Sequence, residues 1–65
     1  MKTIQLSQFR RNPDQVDNLQ EVEIFVPYGE NDASLKAELL EKGFNYISLK
    51  FVDRELMDTI QYFRK

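Results

Sequence analysis

The side chains of this sequence that could do chemistry are two pairs of carboxylates, Glu30 with Asp32 and Asp53 with Glu55. Such pairs can act as general acid and base or supply oxygen ligands to a cation. Each pair lies just before or inside the first turn of a predicted helix, where acidic side chains cap the helix and complement its dipole. The segment around Glu30 also lacks the fixed ligand spacing of a calcium loop. We therefore expect both pairs to be structural.

The remaining residues supply little for catalysis or for cofactor binding. The sequence contains no His and no Cys, so the commonest general base, the strongest nucleophile, disulfides and the usual zinc ligands are absent. Its two glycines, Gly29 and Gly43, are too few and too far apart for a loop that cradles phosphates. We expect a protein that is not an enzyme and that holds neither a cofactor nor a metal ion.

Length and charge restrict the classes of partner. Sixty-five residues form one domain, residues 1–65, whose core is small enough that burial across a homodimer interface is one way to add stability. The net charge of −2 does not favour a nucleic acid partner, which usually meets an excess of basic residues. No apolar run is long enough for a membrane span, and the lack of Cys suits a reducing compartment, so we expect a cytoplasmic protein.

Hydrophobic periodicity predicts strands and helices in alternation. Strands are expected at residues 2–6, 21–27 and 45–52. A brief helical turn is expected at residues 7–11, and helices at 12–20, at about 32–42 and from 53 to the C-terminus. Gly43 suits the left-handed position after the middle helix, with Phe44 folding back onto it. Leu56, Ile60 and Phe63 repeat at helical spacing, which favours a helix at the C-terminus.

These elements predict an α/β fold, a two-layer sandwich in which a three-stranded sheet of β-α-β-α-β-α order has helices on one face. The connection from residue 21 to residue 52 is long enough for a right-handed parallel crossover. Each strand alternates between apolar and polar residues, which indicates that the second face of the sheet is partly exposed.

That second face is the first candidate site. It is expected to place Phe25 beside Tyr46, Ser48 and Lys50, with Glu23 nearby. An aromatic pair rimmed by polar groups is typical of a protein-binding patch or a dimer interface. The alternative is that Phe25 is covered by a loop or by the C-terminal tail.

Two further surfaces have functional and structural interpretations. Arg10 and Arg11 could contact DNA phosphates or bases, or form a solvated group of charges beside Asp14 and Asp17. The apolar stripe of the predicted C-terminal helix could enter a partner's groove, although such a stripe more often packs on its own domain.

The first 29 residues resemble the N-terminal region of the Phd/YefM antitoxin family. The matching segments are Met1-Lys2-Thr3-Ile4, Ser7-Gln8-Phe9-Arg10-Arg11-Asn12, Val16, Leu19, Val22-Glu23-Ile24-Phe25-Val26 and Gly29. The resemblance implies a DNA-binding dimer that uses Arg10 or Arg11.

The sequence therefore favours a non-enzymatic regulatory or inhibitory module that occupies the surface of a protein partner. By size and by its lack of catalytic side chains, the chain is similar to stand-alone regulators that phages and plasmids encode. The alternative function is a DNA-binding autorepressor or antitoxin of the Phd/YefM type.

Overall fold

Four strands form one mixed sheet in the computed structural model of the chain, which describes residues 2–53 and 55–65. In chain order the elements are β1 (Lys2–Gln5), α1 (Leu6–Arg11), a 3₁₀ turn (Pro13–Val16), β2 (Glu21–Val26), α2 (Leu35–Glu41), β3 (Asn45–Asp53) and β4 (Asp58–Arg64). The strand order is β1-β2-β4-β3, with β1 parallel to β2 and β4 antiparallel to both of its neighbours. The predicted three-stranded sheet of β-α-β-α-β-α order is therefore wrong.

The main error concerns the C-terminal segment, which is strand β4 and not a helix. Of the three residues in the apparent helical repeat, Leu56 is exposed in the β3–β4 turn, Ile60 is half-buried and Phe63 lies in the core. The three side chains therefore do not share a face. Thr59, Ile60, Tyr62 and Phe63 are β-branched or aromatic residues, which favour strands. As a strand between β2 and β3, this segment also pairs its backbone on both sides.

The insertion of β4 also changes the predicted crossover. Strands β2 and β3 run in the same direction, because each is antiparallel to β4, but they are not neighbours. Of the described strands, β1 and β2 alone form a parallel pair, and α1 with the 3₁₀ turn makes the connection between them. The predicted helix at residues 12–20 is reduced to this 3₁₀ turn, although Val16 is buried and Leu19 packs against the core.

One hydrophobic cluster joins the helices to one face of the sheet. Its members are Ile4, Leu6, Phe9, Val16, Val22, Ile24, Val26, Leu35, Leu39, Phe44 and Phe63. In α2, Leu35 and Leu39 lie four residues apart and are buried, as helical spacing requires. Leu40, the next residue along α2, is 63% exposed and lies outside the cluster.

The end of α2 has the predicted glycine cap. Gly43 has a φ of 94°, in the left-handed region that favours glycine. The Gly43 and Phe44 amides donate to the carbonyls of Leu40 and Leu39, which is the hydrogen-bond pattern of a Schellman motif. Because this turn brings Phe44 into the core, it sets the point at which β3 begins.

Ion pairs connect α2 to the preceding helical segments. Glu38 binds Arg10 at 3.1 Å, and Lys42 binds Asp14 at 3.3 Å and Asp17 at 2.9 Å. Glu38 and Lys42 lie four residues apart, but each side chain reaches across to another element and not to the other. The hydrogen bond to Asp17 is the main cause that raises the pKa of Lys42, against a smaller opposing effect of desolvation.

Candidate functional site

The face of the sheet opposite the helices, called the open face below, is built from rows of paired residues. Cross-strand register places Thr3, Glu23, Tyr62 and Ser48 in one row and Gln5, Phe25, Ile60 and Lys50 in the next. Each row crosses all four strands. Its side chains lie on one face of the sheet, because residues paired in register point to the same side. Phe25 and Ile60 are half-buried neighbours at the centre of the second row.

A concavity lies in the open face where these two rows meet β3. It has a volume of about 160 Å³ and is lined by Glu23, Ser48, Lys50, Ile60 and Tyr62. The first three residues are candidates that the sequence analysis selected. Together the five side chains offer a carboxylate, an ammonium group, two hydroxyls and one aliphatic surface, so the concavity can accept both polar and apolar groups of a ligand.

Hydrogen bonds fix two of the acidic groups of the open face. The Thr3 hydroxyl donates to the Glu23 carboxylate at 2.9 Å, and the Tyr62 hydroxyl donates to the Glu21 carboxylate at 2.7 Å. The bond to Glu21, helped by desolvation, raises the pKa of Tyr62 above its usual value. Tyr62 is therefore held as a neutral donor, which suits binding better than base catalysis.

The predicted pairing of Phe25 with Tyr46 on one face is wrong. The register advances by two residues in β3, from Tyr46 to Ser48, while it advances by one in β4, from Phe63 to Tyr62. This irregularity leaves Tyr46 on the helix-covered face, with its ring edge-on to Phe63 at 5.7 Å between centroids. The Lys36 ammonium lies 4.1 Å from the centre of the Tyr46 ring and holds it against α2.

Sequence reasoning missed Ile60 and Tyr62, since their segment was assigned to a helix. The signal that could have found them is the β-branched and aromatic content of residues 59–63. The alternation from Tyr46 to Lys50 predicts one shared face only for a strand without a bulge. The bulge in β3 separates Tyr46 from Ser48 and Lys50.

The two arginines of the nucleic acid hypothesis differ in their environment. The Arg10 guanidinium donates to both carboxylate oxygens of Glu38, at 3.1 and 3.3 Å, and to the Asn31 carbonyl at 3.2 Å. Arg11 is exposed at the end of α1. These contacts give Arg10 a structural role. Asp14 and Asp17 do not form a solvated group of charges with it, because both aspartates bind Lys42.

One carboxylate of each predicted pair makes structural contacts, and neither of the two is the helix cap that the sequence predicts. Asp53 accepts the Glu55 amide at 2.8 Å and so shapes the β3–β4 turn. Asp32 accepts the side-chain amide of Gln61 at 2.6 Å. Gln61 lies on the helix-covered face of β4 and is only 2% exposed, and its Oε1 atom has no hydrogen-bond partner within residues 2–53 and 55–65.

The helix-covered face is not covered at its β3 side. Here an apolar band consists of Leu40 on α2 and of Tyr46, Leu49 and Phe51 on β3. Leu49 and Phe51 pair in register with Gln61 and Thr59, beyond the reach of the helices, and are 42% and 55% exposed. Leu40 follows Lys36 by one helical turn and lies on the same side of α2. Ile47, Val52, Leu56 and Met57 are exposed nearby.

Within residues 2–53 and 55–65, no set of three or more acidic side chains is grouped closely enough to hold a metal ion. The described helices include none with the length and apolar character that a membrane crossing requires. Comparison of the chain with known protein families, with characterised proteins and with solved structures finds no match.

Proposed function

We propose that this chain is a non-enzymatic protein-binding module whose partner contacts the open face of the sheet. The observation that carries the proposal is the concavity in that face, because Glu23, Ser48 and Lys50 meet there beside an uncovered apolar pair, Phe25 and Ile60. Binding would regulate or inhibit the partner by occupying its surface, and we place this action in the cytoplasm.

The charged and apolar side chains of the open face indicate which groups the partner's surface should carry. Glu23 and Lys50 lie at opposite sides of the concavity, two strands apart, so the partner should bring a donor or cation to one side and an anion to the other. Ile60 and Phe25 should receive an apolar side chain between those two groups. A surface that combines both signs of charge with apolar groups suits a folded protein better than a strongly charged polymer.

The side chains that line the concavity support a binding role and not a catalytic one. Neither an imidazole nor a thiol occurs in the sequence, and the Tyr62 hydroxyl is engaged by Glu21 with a raised pKa. Glu23 is engaged by Thr3. These groups are arranged as hydrogen-bonding and charged contacts.

Charge reversal within the concavity tests the proposal. Proteins are captured from cells of the source organism with the wild-type chain, with Glu23→Lys and with Lys50→Glu. Matched controls are Glu41→Lys, at the exposed end of α2, and Lys2→Glu, on the edge strand β1 at the other face. Circular dichroism confirms that each variant is folded.

A partner of the open face should be retained by both control variants and lost, or weakened by about tenfold or more, by both concavity variants. Combining the two reversals with the complementary reversals in the purified partner should restore affinity. The proposal is overturned if no captured protein distinguishes the concavity variants from their controls.

A further inference from the structure

Strand β3 is an unpaired edge of the sheet. It is the longest strand, Asn45–Asp53, and all nine of its residues are exposed. Among the described residues its only neighbour in the sheet is β4. A free edge of this length presents a row of unsatisfied backbone donors and acceptors, which natural proteins either protect or pair. The opposite edge, β1, is only four residues long and exposes Lys2, Thr3 and Gln5, so it is protected by length and polarity.

The outer part of β3 has little such protection. Between Tyr46 and Val52 its only charged residue is Lys50, and the regular stretch between the two irregularities of register runs from Ser48 to Phe51. Its helix-side residues in this stretch, Leu49 and Phe51, belong to the exposed apolar band. An uncovered edge with an uncovered apolar side indicates that another strand pairs here.

A second copy of β3 fits this edge in one antiparallel register. Centring the pair on Leu49 places Leu49 opposite Leu49, Ser48 opposite Lys50, and Ile47 opposite Phe51. Centring it on Lys50 instead would oppose two ammonium groups directly, which destabilises a strand pair. Centring it on Ser48 would place Phe51 opposite Asn45 and leave Leu49 opposite Ile47, with the apolar bands displaced from the axis.

The Leu49 register also explains what covers the apolar band. A two-fold axis through Leu49 makes the interface self-complementary, so the band of each copy lies against the band of the other. Phe51 of one copy then approaches Ile47 of the other, at the side where Tyr46 and Leu40 are exposed. For a chain of 65 residues with a small core, this burial adds to the stability of the fold.

We propose that the chain forms a symmetric homodimer by antiparallel pairing of β3 with β3 of a second copy, centred on Leu49, to give a continuous eight-stranded sheet. The dimer uses the edge and the apolar band, and it leaves the open face free. It also joins the two open faces, because Lys50 of the second copy lies beside Ser48 in the row that contains Tyr62 and Glu23. The proposal does not depend on the partner proposed for that face.

The register predicts a specific disulfide, since the chain has no cysteine of its own. Directly opposed residues of an antiparallel pair have Cα atoms about 4.5–5.5 Å apart, within the range that a disulfide bridges. Leu49→Cys should therefore give a disulfide-linked dimer on mild oxidation, at concentrations where Phe51→Cys and Tyr28→Cys stay unlinked.

Sedimentation equilibrium measures the same interface without a cross-link. The wild-type chain should dimerise, and Leu49→Lys should weaken its self-association on the order of a hundredfold, because two charges meet at the axis. Leu49→Glu should do the same, and an equimolar mixture of the two variants should recover a heterodimer. Tyr28→Lys, which changes an aromatic residue that is 75% exposed and lies away from β3, should leave dimerisation unchanged.

A wild-type chain that is monomeric over the whole accessible concentration range overturns the dimer, whatever protein the open face captures. Dimerisation that survives Leu49→Lys, or a mixture that does not recover the heterodimer, overturns the register and the edge. A dimer lost in Leu49→Lys with partner capture intact supports the inference and separates it from the proposed function.

Discussion

Gln61 gives a sharp test of how the helix-covered face is held together. Its side chain is 2% exposed in the central strand β4, its Nε2 donates to Asp32 at 2.6 Å, and its Oε1 has no partner in the part of the chain that the structure describes. Asp32 is only half-buried and can be hydrated by water. Loss of Asp32 therefore leaves a buried amide without its partner, whereas loss of Gln61 leaves a carboxylate that water can solvate.

Removing Asp32 should be costly, and removing Gln61 should not. Asp32→Ala leaves a buried amide with neither its donors nor its acceptor satisfied, which costs about 1–3 kcal/mol. Asp32→Asn keeps an acceptor but loses the charge, and charge-assisted bonds are roughly twice as strong as neutral ones, so we expect about 1 kcal/mol. Gln61→Met removes the buried amide at similar volume and should change the free energy of unfolding by less than about 0.5 kcal/mol.

Urea denaturation followed by circular dichroism measures these differences, with all variants at one protein concentration because self-association would shift the transition. The double variant closes the cycle. In the Gln61→Met background, Asp32→Ala should cost little, because no buried amide is then left unpaired. Equal costs of Asp32→Ala in both backgrounds would refute the reasoning and would place the contribution of Asp32 in the loop that precedes α2.

Three other predictions concern single positions. Met57 has a φ of 61° in the β3–β4 turn, so Met57→Gly should raise the free energy of unfolding by about 1 kcal/mol in urea denaturation. Leu39→Ala should lower it by about 2–5 kcal/mol, whereas Leu40→Ala, at an exposed position of the same helix, should change it by less than about 0.5 kcal/mol in a monomeric Leu49→Lys background. The raised pKa of Tyr62 means that its hydrogen bond to Glu21 stabilises the fold below the usual tyrosine value of 10.0 and that this contribution is lost as pH rises through the higher folded pKa. Ultraviolet titration should therefore show Tyr62 ionising at lower pH in Glu21→Gln, with Tyr62→Phe identifying its signal.

The sequence predicts the first two strands and α2 well because each has a strong local cause. Val22, Ile24 and Val26 alternate without interruption, and Gly43 ends α2 with the predicted cap. Residues 54–65 could not be assigned in the same way. Their helical spacing and their β-branched and aromatic content favour different structures, and the choice depends on pairing with β2, more than thirty residues earlier.

The candidate site is predicted in part for a related reason. Glu23, Ser48 and Lys50 do line one concavity, because the alternation within β2 and within residues 48–50 holds. Tyr46 does not join them, since a bulge in β3 depends on its partner strand and has no signature such as glycine in the sequence. Ile60 and Tyr62 enter the site only because β4 exists.

The register of β4 is the feature on which the fold and the site both depend, and hydrophobicity alone does not set it. A slip of one residue would exchange the two faces of the strand. It would bury Ile60 and Tyr62 and expose Gln61 and Thr59, which burial of apolar area would favour. Phe63 would be lost from the core in that slip, and so would the bonds from Gln61 to Asp32 and from Tyr62 to Glu21. We infer that these two hydrogen bonds, one on each face, favour the observed register.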